Sequence, residues 1–156
     1  MRKIIEHVLV SLDGVVGGTD ISGFFGYTDD AYMRDRLGQL LACDAMLMGR
    51  NTYEEFAGFW PGLAHPLAAT VNALPKFVFS SKLVRAEWSS STIVRGDVVA
   101  EVSKLKEQGG RDLLIYGHGL LGETLLKQHL LDVVDLSIHP LILGSPAPFV
   151  ADPNAN

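Results

Sequence analysis

Asp44-Ala45-Met46-Leu47-Met48-Gly49-Arg50-Asn51-Thr52 sets an acid, a short apolar run and a glycine ahead of a segment with helical spacing. Ala45 to Met48 reads as a short buried strand, and Thr52 to about Phe59 as a helix stopped by Trp60-Pro61-Gly62. The same form returns at Asp112-Leu113-Leu114-Ile115-Tyr116-Gly117, with a second helix over Leu120 to His129. Two strand–glycine–helix junctions give two helix N-termini, whose unpaired N–H groups can face phosphate.

Around these junctions strands and helices alternate. Ile4 to Leu12, Phe77 to Phe79, Thr92 to Val94 and Val133 to Leu143 read as further strands. Asp29 to about Leu41, Leu67 to Leu74 and Val98 to about Glu107 read as helices. Such alternation predicts an α/β fold, a sheet covered on both faces. No linker or low-complexity stretch divides the 156 residues, so residues 1–156 are expected to form a single dinucleotide-binding domain.

Composition narrows the function. With 47% apolar and 20% charged residues the chain is globular in character, and no apolar run reaches the about 20 residues of a membrane helix. Cys43 is the sole cysteine, which points to a reducing, cytoplasmic setting. A net charge of −5 argues against general nucleic-acid binding. Yet Lys76, Lys82, Arg85 and Arg95 against Glu87 make the stretch from Lys76 to Arg95 +3, inside a protein whose remainder is −8. Either this is a solvated basic loop or it serves a small, strongly negative group.

Three segments carry phosphate chemistry. Arg50, in the first turn after Gly49, is explained either by an anion held against the helix N-terminus or by a pair with Glu54. Thr52 can cap the helix or donate its hydroxyl to phosphate. Gly117, Gly119 and Gly122 match G-x-G-x-x-G, but no acid closes the following strand, so the Rossmann topology is not inferred. His118 reads first as a loop histidine. Ser80-Ser81-Lys82, at the end of a strand, suits either a phosphate monoester or an ordinary polar turn.

Eight of the 13 aromatic residues (Phe24, Phe25, Tyr27, Tyr32, Tyr53, Phe56, Phe59 and Trp60) fall between positions 24 and 60. They follow the glycine-rich Asp13-Gly14-Val15-Val16-Gly17-Gly18 and could wall a slot for a flat heterocycle. Asp13, Asp29, Asp30 and Asp35 are the nearest carboxylates in sequence. Neither a nucleophile elbow nor a metal-ligand motif is present, which suits hydride chemistry and equally a binding protein.

Taken in order, several segments resemble the dihydrofolate-reductase-like family, in the branch that contains the reductase domain of bacterial riboflavin biosynthesis. They are Ser11-Leu12-Asp13-Gly14, Met48-Gly49-Arg50-Asn51-Thr52-Tyr53-Glu54, Phe59-Trp60-Pro61, Lys76 to Ser81, Leu114 to Gly119, and Leu131 to Asp135 with His139 to Gly144. The resemblance implies a mixed, mainly parallel sheet flanked by helices, with NADPH lying across the strand ends. It implies that Gly49, Arg50 and Thr52 meet cofactor phosphate. Ser80, Ser81 and Lys82 would meet the adenosine 2′-phosphate, and Gly117, Gly119 and Leu120 the pyrophosphate. Leu12 and Asp13 would border the nicotinamide, with Asp13 the catalytic candidate that orients substrate or its proton.

The implied activity is NADPH-dependent reduction of a small heterocycle, pterin-, folate- or pyrimidine-like. The alternatives are a non-catalytic relative that binds NADPH, or a flavin binder. Members carry a further C-terminal hairpin, whereas Ser145 is followed here by Pro146-Ala147-Pro148-Phe149 and the sequence given ends at Asn156. That hairpin is therefore expected to be missing. The last strand would then lack a neighbour, and a homodimer through it or the segment after it is expected.

Overall fold

The computed structural model describes residues 1–16, 24 and 26–144. Among them are six strands: β1 (Ile4–Ser11), β2 (Cys43–Gly49), β3 (Lys76–Phe79), β4 (Ser91–Val94), β5 (Asp112–Tyr116) and β6 (Val133–His139). They form one sheet in the order β4-β3-β2-β5-β1-β6, with every strand pair parallel. The helices are α1 (Asp30–Ala42), α2 (Arg50–Phe59), α3 (Pro66–Ala73), α4 (Val98–Glu107) and α5 (Leu120–Lys127), with a 3-10 turn at Trp60–Gly62. No helix among the described residues is long and apolar enough to cross a membrane.

Both faces of the central strands are buried, which explains their unbroken apolar runs. Successive residues split between the faces. Met46, Met48, Val78 and Leu114 join a core with Leu40, Trp60, Leu67 and Val71. Ala45, Leu47, Phe79, Leu113 and Ile115 pack on the other face against Val102, Leu105, Leu121 and Leu125. Cys43 lies in the first core, where burial pushes its thiol up to about 11 and keeps it protonated.

Local chemistry sets the element ends. Asp29 and Asp97 cap α1 and α4 by accepting from the amides of Tyr32 and Ala100 at 2.8 and 2.7 Å. Three of the boundaries that differ from the sequence expectation have a clear local cause. Helix α2 starts at Arg50, with Gly49 as N-cap, so Thr52 lies inside the helix and is not its cap. Helix α5 stops at Lys127 because His129 turns to a φ of 55° and Leu130 N–H bonds back to the Leu125 carbonyl at 2.9 Å. Strand β6 ends at His139, since Pro140 has no N–H to continue a ladder.

The chain runs from β1 to β2, outward to β4, and returns to insert β5 between β2 and β1. The C-terminal ends of β3, β2, β5 and β1 therefore stand side by side, and the order reverses among them. In an open parallel sheet this is where a ligand crevice forms. Gly17 to Asp20, Phe25 and the stretch from Ser145 onward lie outside the described residues, and so does the expectation about a missing hairpin.

Candidate functional site

Each segment singled out for the cofactor follows one of those four strands: Gly49 to Thr52 after β2, Ser80 to Lys82 after β3, Gly117 to Leu120 after β5, Leu12 and Asp13 after β1. The fold brings them to one edge of the sheet. Gly49 and Gly119 are N-caps with no side-chain cap hydrogen bond, so the first amides of α2 and α5 lack the usual capping side chain. A Cβ built on Gly49, Gly117 or Gly119 would meet nothing within 4 Å, so a ligand can approach the backbone there. Gly117 holds a φ of +76°, and its N–H donates to the His7 carbonyl at 2.8 Å. Leu120 is largely exposed at the start of α5. Arg50 donates from Nη1 to both oxygens of Glu54 at 3.2 Å, the pairing alternative read from the sequence.

The loop after β3 is built for rigidity. Ser80 Oγ accepts from the amides of Lys82 and Leu83 at 3.2 and 2.9 Å. Arg95 donates to the carbonyls of Ser80, Ser81 and Leu83 at 3.1, 3.0 and 2.7 Å. Ser81 and Lys82 are left exposed.

The basic stretch does not act as one anion site. Lys76 is fully buried, and its ammonium donates to the carbonyls of Asn72, Leu74 and Ser89 at 2.9, 2.7 and 3.1 Å. It also lies 4.4 Å from the centre of the Trp88 ring. Burial pulls its pKa down to about 8. Arg85 pairs with Glu87 at 2.7 Å. Structural carbonyls, for Lys76 and Arg95, and a local acid, for Arg85, thus absorb three of the four cations.

The turn after β1 is a clamp. Asp13 accepts from Ser11 Oγ at 2.5 Å and from the amides of Gly144 and Leu143 at 2.8 and 3.2 Å. The Ser11 hydroxyl, then the two amides, hold its carboxyl down at about 2. Asp13 is therefore an anion at neutral pH, tying the β1 turn to the chain beyond β6, and it is not on the cavity lining described next. Leu12 is exposed beside it, its amide bonded to the Leu141 carbonyl at 2.8 Å.

A cavity of about 270 Å3 opens between the sheet, α1 and α2. Tyr32, Phe56, Phe59 and Trp60 of the aromatic cluster line it, joined by Tyr116 from β5, Thr52 from α2 and Gly117 and His118 from the second junction. Two other clustered aromatics serve the fold: the Tyr53 hydroxyl accepts from the Trp88 amide at 3.0 Å, and Phe24 packs edge-on against His139 at 5.2 Å. Of the aspartates expected nearby, Asp29 is a cap and Asp35 pairs with Arg36. The carboxylate on the described lining is Glu55, at the exposed rim.

Two buried polar residues of the cavity were not found from the sequence. His7, on β1, and Arg36, on α1, both line it. Arg36 Nη1 hydrogen-bonds His7 Nδ1 and donates to Asp135 at 2.7 Å; Gln39 also donates to Asp135, at 2.8 Å. Burial, then the Arg36 charge, pulls His7 down to about 4, so the ring is neutral at pH 7. His7 Nδ1 also lies 3.1 Å from Asp135 Oδ2, and Nε2 lies 3.4 Å from the Tyr32 hydroxyl. The signal was available: Glu6 and His7 are adjacent polar residues in a strand buried on both faces.

Glu6 points to the other face. It is completely buried, and His118 Nδ1 lies 3.0 and 3.1 Å from its two oxygens. A Cβ on Gly122 would overlap Glu6 Oε1. The third glycine of the motif therefore makes room for this carboxylate.

The RibD C-terminal domain family matches residues 2–155. An uncharacterised Bacillus subtilis protein, YyaP, is 30% identical across 97% of this chain and 81% of its own length. Among solved structures, a candidate riboflavin biosynthesis protein from Shewanella sp. PV-4 superposes with a TM-score of 0.73 at 21% identity, over 97% of this chain and 84% of that one. The dihydrofolate reductase of Schistosoma mansoni gives 0.65 at 18% identity, over 97% and 81%. These structural likenesses are of the fold, which is dihydrofolate-reductase-like.

Proposed function

Since the chain belongs to the RibD C-terminal domain family, whose fold is of reductase type, we propose that it is an NADPH-dependent reductase of a small flat heterocycle. One observation carries this reading. The uncapped N-termini of α2 and α5 follow neighbouring parallel strands, and Thr52 from one junction and Gly117 and His118 from the other line the same aromatic cavity.

The residues present fit NADPH. The open backbone at Gly49, Gly117 and Gly119 and the first amides of α2 and α5, from Arg50 and Leu120 on, would receive the pyrophosphate. Arg50 would turn from Glu54 to phosphate, because an exposed pair of this kind is worth only about 0.3–0.5 kcal/mol. Ser80, Ser81 and Lys82 would hold the 2′-phosphate, on a loop already ordered by Arg95. When bound, NADPH supplies the hydride. Tyr32, Phe56, Phe59, Trp60 and Tyr116 would stack the acceptor ring and exclude water from it. Asp13, anionic in its clamp, would fix the turn beside the nicotinamide; proton supply is left to other groups or solvent.

The test is NADPH oxidation, followed by absorbance, against pterin-, folate- and pyrimidine-like rings. Turnover of one class supports the reductase. Tight NADPH binding with no oxidation by any ring supports the non-catalytic alternative instead.

A further inference from the structure

Helix α2 lines the cavity with Thr52, Glu55, Phe56 and Phe59, the i, i+3, i+4, i+7 spacing of one helix face. Glu55 breaks the apolar character of that face. It is exposed at the rim, and the positions three and four residues away along α2 (Asn51, Thr52, Gly58 and Phe59) offer it no cation. The neighbouring Glu54 shows the contrast, since Arg50 pairs with it at 3.2 Å. The rest of the lining does not offset the charge. Arg36, the arginine on the lining, is buried and already held between Asp35 and Asp135. His7 is neutral at pH 7, and His118 stands against the Glu6 carboxylate. Arg34 and Arg50, the other cations of α1 and α2, are not on the lining. Residues 17–23, 25 and 145–156 include Asp20 and Asp152 but no lysine, arginine or histidine, so wherever they lie they bring no cation to the mouth.

We propose that Glu55 sets specificity at the mouth of this cavity: it favours a flat ring whose outer substituent is an alkylamine cation and rejects one that carries a carboxylate. Among pterin-, folate- and pyrimidine-like rings, the mouth then turns away folates, whose tails are acidic. No direct contact is required. A unit charge about 4 Å from the Glu55 carboxylate, at the dielectric of water, changes affinity about fivefold, upward for an ammonium and downward for a carboxylate. This deepens the reductase reading, from which it takes the flat ring. Its test is one of binding in the absence of NADPH, so either idea can fail without the other.

The probes are two ring pairs alike but for the tail: 6-aminomethylpterin against pterin-6-carboxylate, and 5-aminomethyluracil against uracil-5-carboxylate. Calorimetry is expected to show the aminomethyl member of a pair binding about tenfold tighter at low salt, with the gap closing as salt is raised. Glu55→Gln should shrink the gap to about twofold, and Glu55→Lys should invert it. Both changes lie at an exposed position, outside the two cores. Equal binding within each pair, tighter binding of the carboxylates (Arg36 then governing the mouth), a gap unmoved by Glu55→Gln, or no binding of either aminomethyl ring would overturn the proposal. NADPH oxidation without a tail preference would remove this inference alone, and a tail preference without oxidation would remove only the reductase reading.

Discussion

The completely buried carboxylate of Glu6 lies 3.0 Å from Nδ1 of His118, joining the first strand to the glycine loop that precedes α5. Gly122 is the residue that lets α5 pass over this pair. Gly122→Ala places a methyl group on Glu6 Oε1 and is expected to destabilise the fold by about 1–3 kcal/mol, as overpacking does. Urea unfolding measures it. Adding Glu6→Ala to Gly122→Ala should recover part of the loss, and strictly additive costs would show that the two sites do not meet.

His7 gives the fold an acid-sensitive element. Its pKa falls from 6.5 to about 4 on folding, so the unfolded chain takes up this proton first. The stability it contributes is present above pH 6.5 and is lost as pH falls toward 4, about 3 kcal/mol over the window. Asp135, which burial alone would raise, is held low by Arg36 and Gln39, so its own loss comes at lower pH. His7→Gln should flatten the stability profile between pH 6.5 and 4, and an unchanged slope would assign the acid sensitivity to other groups.

Much of the fold was legible because its strands are buried on both faces and read as short apolar runs, each closed by a glycine, proline or polar residue. The two Asp–apolar–Gly junctions marked the uncapped helix starts for a physical reason: a helix start without a capping side chain is left open by glycine. Charge was less legible. Lys76 counted as part of a basic site because sequence cannot show that three carbonyls surround its ammonium. Arg36 and Asp135 are far apart in the chain, and only the packing of α1 on β1 and β6 reveals them as one network with His7. Thr52 was misplaced by one detail, the helix start at Arg50.

In the proposed reading, cofactor choice rests on Ser81 and Lys82. NADPH is expected to bind more tightly than NADH, with the preference weakening as salt is raised. Lys82→Ala should lower NADPH affinity roughly tenfold and leave NADH nearly unchanged. Calorimetry of both cofactors checks this, and equal affinities in the unmutated protein would remove the 2′-phosphate assignment.

Among the described residues strand β6 lies at the sheet edge, with Val133, Val134, Leu136 and Ile138 partly or largely exposed and Ile142 and Leu143 beyond it. Such an edge invites pairing with another chain. The protein is expected to be a homodimer through β6 or the segment after it, and Ile138→Lys should shift it toward monomer. Light scattering across a dilution series measures this; a monomer at micromolar concentration would defeat the expectation.

The central claim, that one cofactor lies across the ends of β3, β2 and β5, is tested most directly by amide NMR during an NADPH titration. The expected result is that the amides of Gly49 and Arg50, of Ser81 and Lys82, and of Gly119 and Leu120 shift together along a single binding curve. Shifts confined to one of the three segments, or lying mainly on the α4 side of the sheet, would contradict it.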